Sequence, residues 1–294
     1  MKKLFIKFRY FIEYILFLSF INIIKIFGID KASSFCSFVA RKIGPLLPAT
    51  KIAKRNISNV LTEEVNHDKF ISDLWDNFGR FIGEFPFLGS LSEEEISKRI
   101  ELAGLEHTEK LKKLNQPFLL FTGHFANWDI ALKAIDKFYP KFGVVYRKTN
   151  NPYVNELIKR FRKTDDIRLI AKGPYGAKDL LKSFKQKESL VMLVDQRMRE
   201  GIEVPFFGKP AMTANAIAKF ALQFNYPIVP CQIIRKKGSY FKLVIHKPLE
   251  YESSGDNTKD CYNIMLTINK ILEKWVMEYP TQWLWFHNRW GKNF

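Results

Sequence analysis

Residues 117–129 read PFLLFTGHFANWD, and the rest of the chain is organised around them. The run 118–122 is short, apolar and unbroken, the pattern of a strand buried on both faces. Gly123 breaks it, His124 follows, and Asn127 reads as the cap of a helix beginning at Trp128. His124 and Asp129 lie five residues apart, which on one ideal helix separates them by about 140°. A strand–loop–helix arrangement removes that difficulty. His124 then sits on the loop and Asp129 in the first helical turn, both facing a crevice at the end of a sheet. A carboxylate there accepts a hydrogen bond from one imidazole nitrogen and leaves the other free as a base. The plainer alternative is structural: an acidic residue in a first turn complements the helix dipole, and a lone histidine after a strand often has no chemical role.

The chain has 294 residues, 47% hydrophobic and 26% charged, enough to bury a substantial core and unlike a disordered or fibrous sequence. A net charge of +17 and a pI near 9.6 require an anionic partner or surface. Nucleic acid, anionic lipid and an acidic carrier protein all satisfy that requirement. The aromatic content of 15%, with 27 Phe, favours lipid, because long apolar ligands need apolar walls. Cys36, Cys231 and Cys261 are odd in number and lack C-x-x-C spacing. They point to a reducing compartment, and to neither a disulfide framework nor a zinc site.

Residues 1–29, MKKLFIKFRYFIEYILFLSFINIIKIFGI, have a basic start and a long apolar body without a small-residue cleavage site. Their uncharged core, 14–24, is 11 residues long, well short of the roughly 20 that cross hydrocarbon comfortably. A marginal span and a helix lodged in one leaflet both fit, and a buried soluble helix is the alternative. Basic residues flank both ends, so charge gives no orientation. The expected organisation is a membrane anchor helix over 1–29 and an α/β domain over 30–294.

Within 31–61 an apolar and basic pattern continues, with Lys51, Lys54 and Arg55 placed to meet lipid headgroups or solvent. Apolar residues at three- and four-residue spacing over 68–88 predict an amphipathic helix, and Ser92 before Glu93–Glu95 predicts another helix start. From Gly104 the chain alternates strand and helix, the signature of an α/β fold with a mostly parallel central sheet flanked by helices. The expected strands are 118–122, 142–146, 168–171 and 190–194, with helices over 128–138, 152–163 and 177–186 between them. A loop carrying Arg197, Arg199 and the FFG of 206–208 leads to a helix over 214–224. A hairpin turning at 236–239 and a long helix over 260–278 complete the chain.

Ligands of open α/β sheets bind beyond the carboxyl ends of the strands. His124, Arg147, Lys148, Asp195 and Gln196 all fall there, and Arg162, late in a helix, reaches the same rim. No G-x-S-x-G, G-x-x-x-x-G-K-[ST], G-x-G-x-x-G or H-E-x-x-H occurs. What survives is a histidine base beside a carboxylate, a basic rim and a membrane-seeking, Phe-rich body. That combination suits deprotonation of a hydroxyl on an anionic lipid, which then attacks an activated acyl group.

At these residues the chain resembles the late acyltransferases of lipid A biosynthesis, the lauroyl and myristoyl transferases of the lysophospholipid acyltransferase-like superfamily. His124–Asp129 in GHFANWD is similar to their H-x-x-x-x-[DE] motif. VYRKTNNPYVNELIKRFR (145–162) resembles their Y-R…N-P…R block and matches Arg147 and Arg162 to it. VDQ (194–196), VPFFGKPAMT (204–213) and WLWFHNRW (283–290) resemble further blocks, so the likeness runs from the N-terminal anchor to the C-terminus. One departure is Asp129, where the lipid A branch more often has Glu and glycerolipid acyltransferases have Asp.

The resemblance implies that a His124/Asp129 dyad deprotonates a hydroxyl of a 3-hydroxyacyl chain on a lipid A precursor. The oxygen then attacks the thioester of acyl-acyl carrier protein, with no covalent acyl-enzyme. Backbone N–H groups or Arg162 would stabilise the oxyanion, and Asp195 would orient Arg162 or another basic group. Arg147, Arg197 and Arg199 would hold the acceptor's phosphates or acidic sugars, and Lys148, Asn127 and Gln196 are further expected substrate-binding residues. No metal or nucleotide cofactor is implied. The expected location is the cytoplasmic face of a bacterial inner membrane. The rival readings are acylation of another lipid, such as a lysophospholipid, ornithine lipid or glycolipid, and a non-enzymatic basic protein on membrane or nucleic acid.

Overall fold

The structure, a computed structural model, describes residues 2–61, 66–139, 141–162, 166–173 and 176–291. Four long helices come first: α1 (Lys2–Lys25), α2 (Gly28–Ile43), α3 (Pro48–Val60) and α4 (His67–Glu84). Then follow α5 (Glu93–Arg99), β1 (Ile100–Ala103), α6 (Glu106–Lys113), β2 (Leu119–Thr122) and α7 (Trp128–Phe138). The alternation continues through β3 (Phe142–Tyr146), α8 (Pro152–Arg162), β4 (Ile167–Ala171), α9 (Ala177–Lys185) and β5 (Ser189–Leu193). Last come β6 (Arg197–Phe206), β7 (Lys209–Thr213), α10 (Ala216–Phe224), β8 (Ile228–Lys237), β9 (Tyr240–Ile245) and α11 (Asn257–Glu278).

Seven strands form one sheet in the order β1-β9-β8-β2-β5-β3-β4. Every neighbouring pair is parallel except β8 and β9, the hairpin that turns at Gly238. The α/β expectation therefore holds, with β2 at the centre and all four of its residues buried. The segment expected as a loop after Gln196 is instead a separate two-stranded antiparallel sheet, β6 with β7. Its turn residues Phe207 and Gly208 both take positive φ, the geometry of a tight hairpin turn. Charged and apolar residues alternate irregularly across 197–206, so no clean period marked the strand.

The helices α2 and α4 pack closely. A side chain at Gly83 would meet the Ala32 carbonyl at 2.4 Å, so only glycine lets the backbones approach this far. At the C-terminal end of α4 the fully buried Glu84 carboxylate is paired with Arg235 of β8. It also accepts hydrogen bonds from Ser33 Oγ (2.8 Å) and Asn127 Nδ2 (2.7 Å). Buried charge is tolerable only when so fully satisfied. One carboxylate thus ties α2, α4 and the sheet to the loop that starts α7.

Helix α1 has two different sides. Leu4, Phe5, Phe8, Phe11 and Leu16 are exposed, whereas Ile21 and Ile24 are buried. Asn151, at the start of α8, donates from Nδ2 to the Tyr10 carbonyl (2.8 Å) and to Glu13 Oε2 (2.9 Å). Tyr14 packs on Tyr153, and the Lys25 ammonium lies 5.1 Å from the Phe161 ring centroid. Among the described residues no helix is long and apolar enough to cross a membrane.

Candidate active site

The register of two parallel strands builds the site. Thr122, the last residue of β2, pairs with Leu193, the last residue of β5. Two residues beyond each strand end stand His124 and Asp195, side by side. His124 Nδ1 lies 2.7 Å from Asp195 Oδ1, and the His124 backbone N–H donates to Asp195 Oδ2 at 2.8 Å. Trp283 Nε1 donates to the same Oδ2 at 2.8 Å. A side chain at Gly123 would meet the Phe125 ring at 2.7 Å and the Asp195 carboxyl carbon at 3.3 Å, so glycine keeps the pair in place.

Asp195 is buried, which opposes its ionisation. The His124 imidazole, both His124 bonds and the Trp283 bond outweigh burial and hold the carboxyl at about 2. An ionised acceptor at Nδ1 fixes the His124 proton there and turns the Nε2 lone pair outward. Gln196 Nε2 lies 3.3 Å from that nitrogen, and the Trp128 ring meets the imidazole edge-on at 4.9 Å. The carboxylate bonded to His124 is therefore Asp195, where the motif spacing had suggested Asp129.

Asp129 has a different partner. It sits in the first turn of α7, buried, in a two-point ion pair with Arg162 at the end of α8. Arg162 Nη2 donates to Oδ2 at 2.8 Å, and Nε lies 2.8 Å from Oδ1. Asp195, expected to orient Arg162 or another basic group, is bonded to His124. Removing Arg162 leaves a buried carboxylate unpaired, which costs more than the pair is worth. Arg162→Met is expected to lower unfolding free energy in urea by about 3 kcal/mol, and the double variant with Asp129→Asn to regain most of it. A single variant as stable as the wild type would show the pair to be idle.

His124, Asp129, Arg162, Arg147 and Gln196 all line one cavity of about 810 Å³. Most of its wall is apolar: Phe17 of α1, Phe81 and Phe85 around the end of α4, Trp128 and Leu132 of α7, and Phe220 of α10. An apolar cavity of this size with a few convergent polar groups is the usual form of a small-ligand site. Other expected residues fall outside its lining. Asn127 is fully buried, accepts from the Ile130 N–H at 3.0 Å and bonds Glu84, so it caps α7 and has no surface left for a ligand. Lys148 and Arg199 are exposed outside the cavity lining, and the Arg197 guanidinium lies beside Gly291. Among the described residues no group of three His, Cys, Asp or Glu side chains could hold a metal ion.

The C-terminal segment contributes more than the sequence disclosed. Residues 282–284 run beside the His124 loop: the Leu284 N–H donates to the His124 carbonyl (3.0 Å) and the Ala126 N–H to the Gln282 carbonyl (2.8 Å). Arg289, fully buried, clamps this segment to the β6–β7 hairpin through the Met212 carbonyl (3.0 Å) and Thr213 Oγ1 (2.7 Å). Leu284, Phe286 and His287 all reach the cavity. His287 Nε2 accepts the Arg197 backbone N–H at 2.9 Å. Burial, reinforced by nearby His124, Arg289 and Arg147 and opposed by Asp195, holds His287 down at about 4. Lys172 also lines the cavity, its ammonium disfavoured by burial. The block WLWFHNRW marked this segment without indicating which of its residues face the cavity.

The family model described as bacterial lipid A biosynthesis acyltransferase matches residues 1–292. The chain is 25% identical over 247 residues to a lipid A biosynthesis acyltransferase of Haemophilus influenzae, covering 81% of this chain and 76% of that one. It is 23% identical over 245 residues to the lipid A biosynthesis lauroyltransferase of Escherichia coli, covering 81% and 78%. A palmitoleoyltransferase of lipid A biosynthesis from Escherichia coli is 22% identical over 244 residues, covering 81% and 77%.

Proposed function

The chain belongs to the bacterial lipid A biosynthesis acyltransferases, and from that premise we propose that it moves a fatty acyl group from acyl-acyl carrier protein to a hydroxyl of a lipid A precursor. The observation that carries the mechanism is the His124–Asp195 pair, whose His124 lines an apolar cavity. His124 Nε2 takes the proton of the acceptor hydroxyl as the oxygen bonds to the thioester carbonyl carbon. The carbonyl electron pair moves onto its oxygen, giving a tetrahedral oxyanion. Collapse breaks the carbon–sulfur bond, and the thiolate takes the proton back from His124. The cationic Arg162, held by Asp129, supplies positive charge in the cavity wall while the oxyanion exists. The Phe-rich wall accepts the acyl tail, and Arg147 in the cavity lining meets the acceptor's anionic groups.

The acceptor is a membrane lipid, and the surface suits a membrane. Exposed Phe8, Phe11, Phe27, Phe35 and Phe38 share helices α1 and α2 and their link with exposed Lys7, Arg9, Lys25, Lys31, Arg41 and Lys42. That mixture lies in an anionic interface with its rings in the acyl boundary. We place the protein on the cytoplasmic face of the inner membrane, with α1 lying in the interface.

The test incubates purified protein with a lipid A precursor and acyl-carrier proteins of several chain lengths, and reads product mass. A gain of one acyl group is the expected result. Acylation of lysophospholipid in its place would sink the acceptor, and no transfer from any thioester would sink the reaction. The same preparation is expected to float with anionic vesicles and to stay behind with neutral ones in high salt.

A further inference from the structure

The reaction proposed above creates a negative oxygen, and the cavity is lined by a second histidine, His287, to which no role has been given. His287 belongs to the segment that clasps the site: its backbone N–H meets the Leu284 carbonyl at 3.4 Å, and the Leu284 backbone N–H bonds the His124 carbonyl. Its Nε2 is taken by the N–H of Arg197. Arg197 directly follows Gln196, whose side chain touches the base nitrogen of His124. His287 is therefore fixed from two directions, each one step from the reacting histidine.

Accepting an N–H at Nε2 dictates the tautomer. The lone pair there is occupied, so the single proton of the neutral ring is on Nδ1. Burial keeps the ring neutral well below neutral pH. Among the described residues the bond at Nε2 is the only side-chain hydrogen bond of His287, and His287 lines the cavity. A neutral imidazole N–H is a suitable donor for a developing oxyanion, since it adds a hydrogen bond without competing for the proton that His124 carries.

Resting on that reading of the reaction, we propose that His287 is a catalytic residue whose Nδ1–H donates to the thioester carbonyl oxygen as it becomes the oxyanion, beside the charge of Arg162. The proton stays on His287 throughout. The interaction strengthens as charge gathers on the oxygen, so it acts on kcat more than on KM.

Two substitutions separate the ring's two nitrogens. His287→Gln places its amide near the Nε2 position, keeping the acceptor for the Arg197 N–H and deleting the Nδ1 donor. His287→Asn places an amide near Nδ1 and deletes the acceptor. His287→Leu removes both and keeps the wall filled. In the acyl-transfer assay, His287→Gln and His287→Leu are expected to lose about 10²-fold in kcat with KM for acyl donor within about threefold. His287→Asn is expected to retain most of the rate that the other two lose. Should His287→Gln fail to fold, as thermal unfolding would report, the Asn and Leu pair makes the same comparison. Gln faster than Asn, equal rates in all three, or a rise in KM at unchanged kcat would each overturn the donor role while leaving the acyltransferase reading intact. A wild-type protein that transfers no acyl group would overturn that reading itself, and His287's role with it.

Discussion

His124→Ala is expected to lower kcat for acyl transfer by about 10³- to 10⁴-fold, the largest effect of any single substitution here. The side chain lines the cavity, and its proton is held on the nitrogen that faces Asp195. Its Nδ1 is committed to Asp195 and its Nε2 faces the cavity side, where Gln196 stands at 3.3 Å. The buried Asp195 loses its Oδ1 partner, so some stability is lost, but the loop keeps its course. The bonds that fix the loop run through the backbone of His124, from its N–H to Asp195 and from its carbonyl to Leu284, and alanine keeps both. Mass spectrometry of product, with circular dichroism alongside, checks the two halves of the expectation. A folded variant retaining a tenth of wild-type kcat would remove His124 from the chemistry.

The second large effect belongs to Asp195→Asn, expected to lower kcat by about 10³-fold with the fold retained. Two donors, the His124 N–H and Trp283 Nε1, converge on Oδ2, so the asparagine oxygen takes that place. Its NH₂ group then faces His124 Nδ1, which must become the acceptor. The imidazole proton moves to Nε2, and the base is lost without moving an atom of the ring. Pairing this change with His124→Ala is expected to add almost nothing, because both act through one nitrogen. Additive losses in the double variant would mean that Asp195 works elsewhere. Acid stability gives an independent check. The carboxyl lies at about 2 in the fold against an ordinary value of 3.8, so its stabilising contribution is complete above 3.8 and disappears as pH falls through about 2. The asparagine variant loses that portion of the acid dependence.

Much of the frame was legible because its signals are local. The apolar run before Gly123, the Asn127 cap and the hairpin turn at Gly238 each depend on a few adjacent residues. The pairing of His124 was different in kind. Its carboxylate lies 71 residues away, and only the β2–β5 register shows that the two strands end level. The spacing of His124 and Asp129 suggested a local pair, yet Asp129 is turned to Arg162, 33 residues on. Asn127 illustrates the opposite error. A polar residue in the motif was assigned to a ligand, and the fold spends both ends of its amide on α7 and Glu84. His287 escaped notice because nothing in WLWFHNRW tells a cavity-facing ring from a packed one.

The clasp of residues 282–287 around the His124 loop has a consequence for how competence arises during synthesis. The ribosome delivers β2, β5, His124 and Asp195 well before Trp283 and Leu284. Until those later residues emerge, Asp195 lacks its indole donor, the His124 carbonyl lacks its partner, and the cavity lacks the wall formed by Leu284, Phe286 and His287. A partly made chain thus carries the base without its enclosure. Competence for acyl transfer is therefore expected only once residues 282–287 have been made and have docked on the His124 loop.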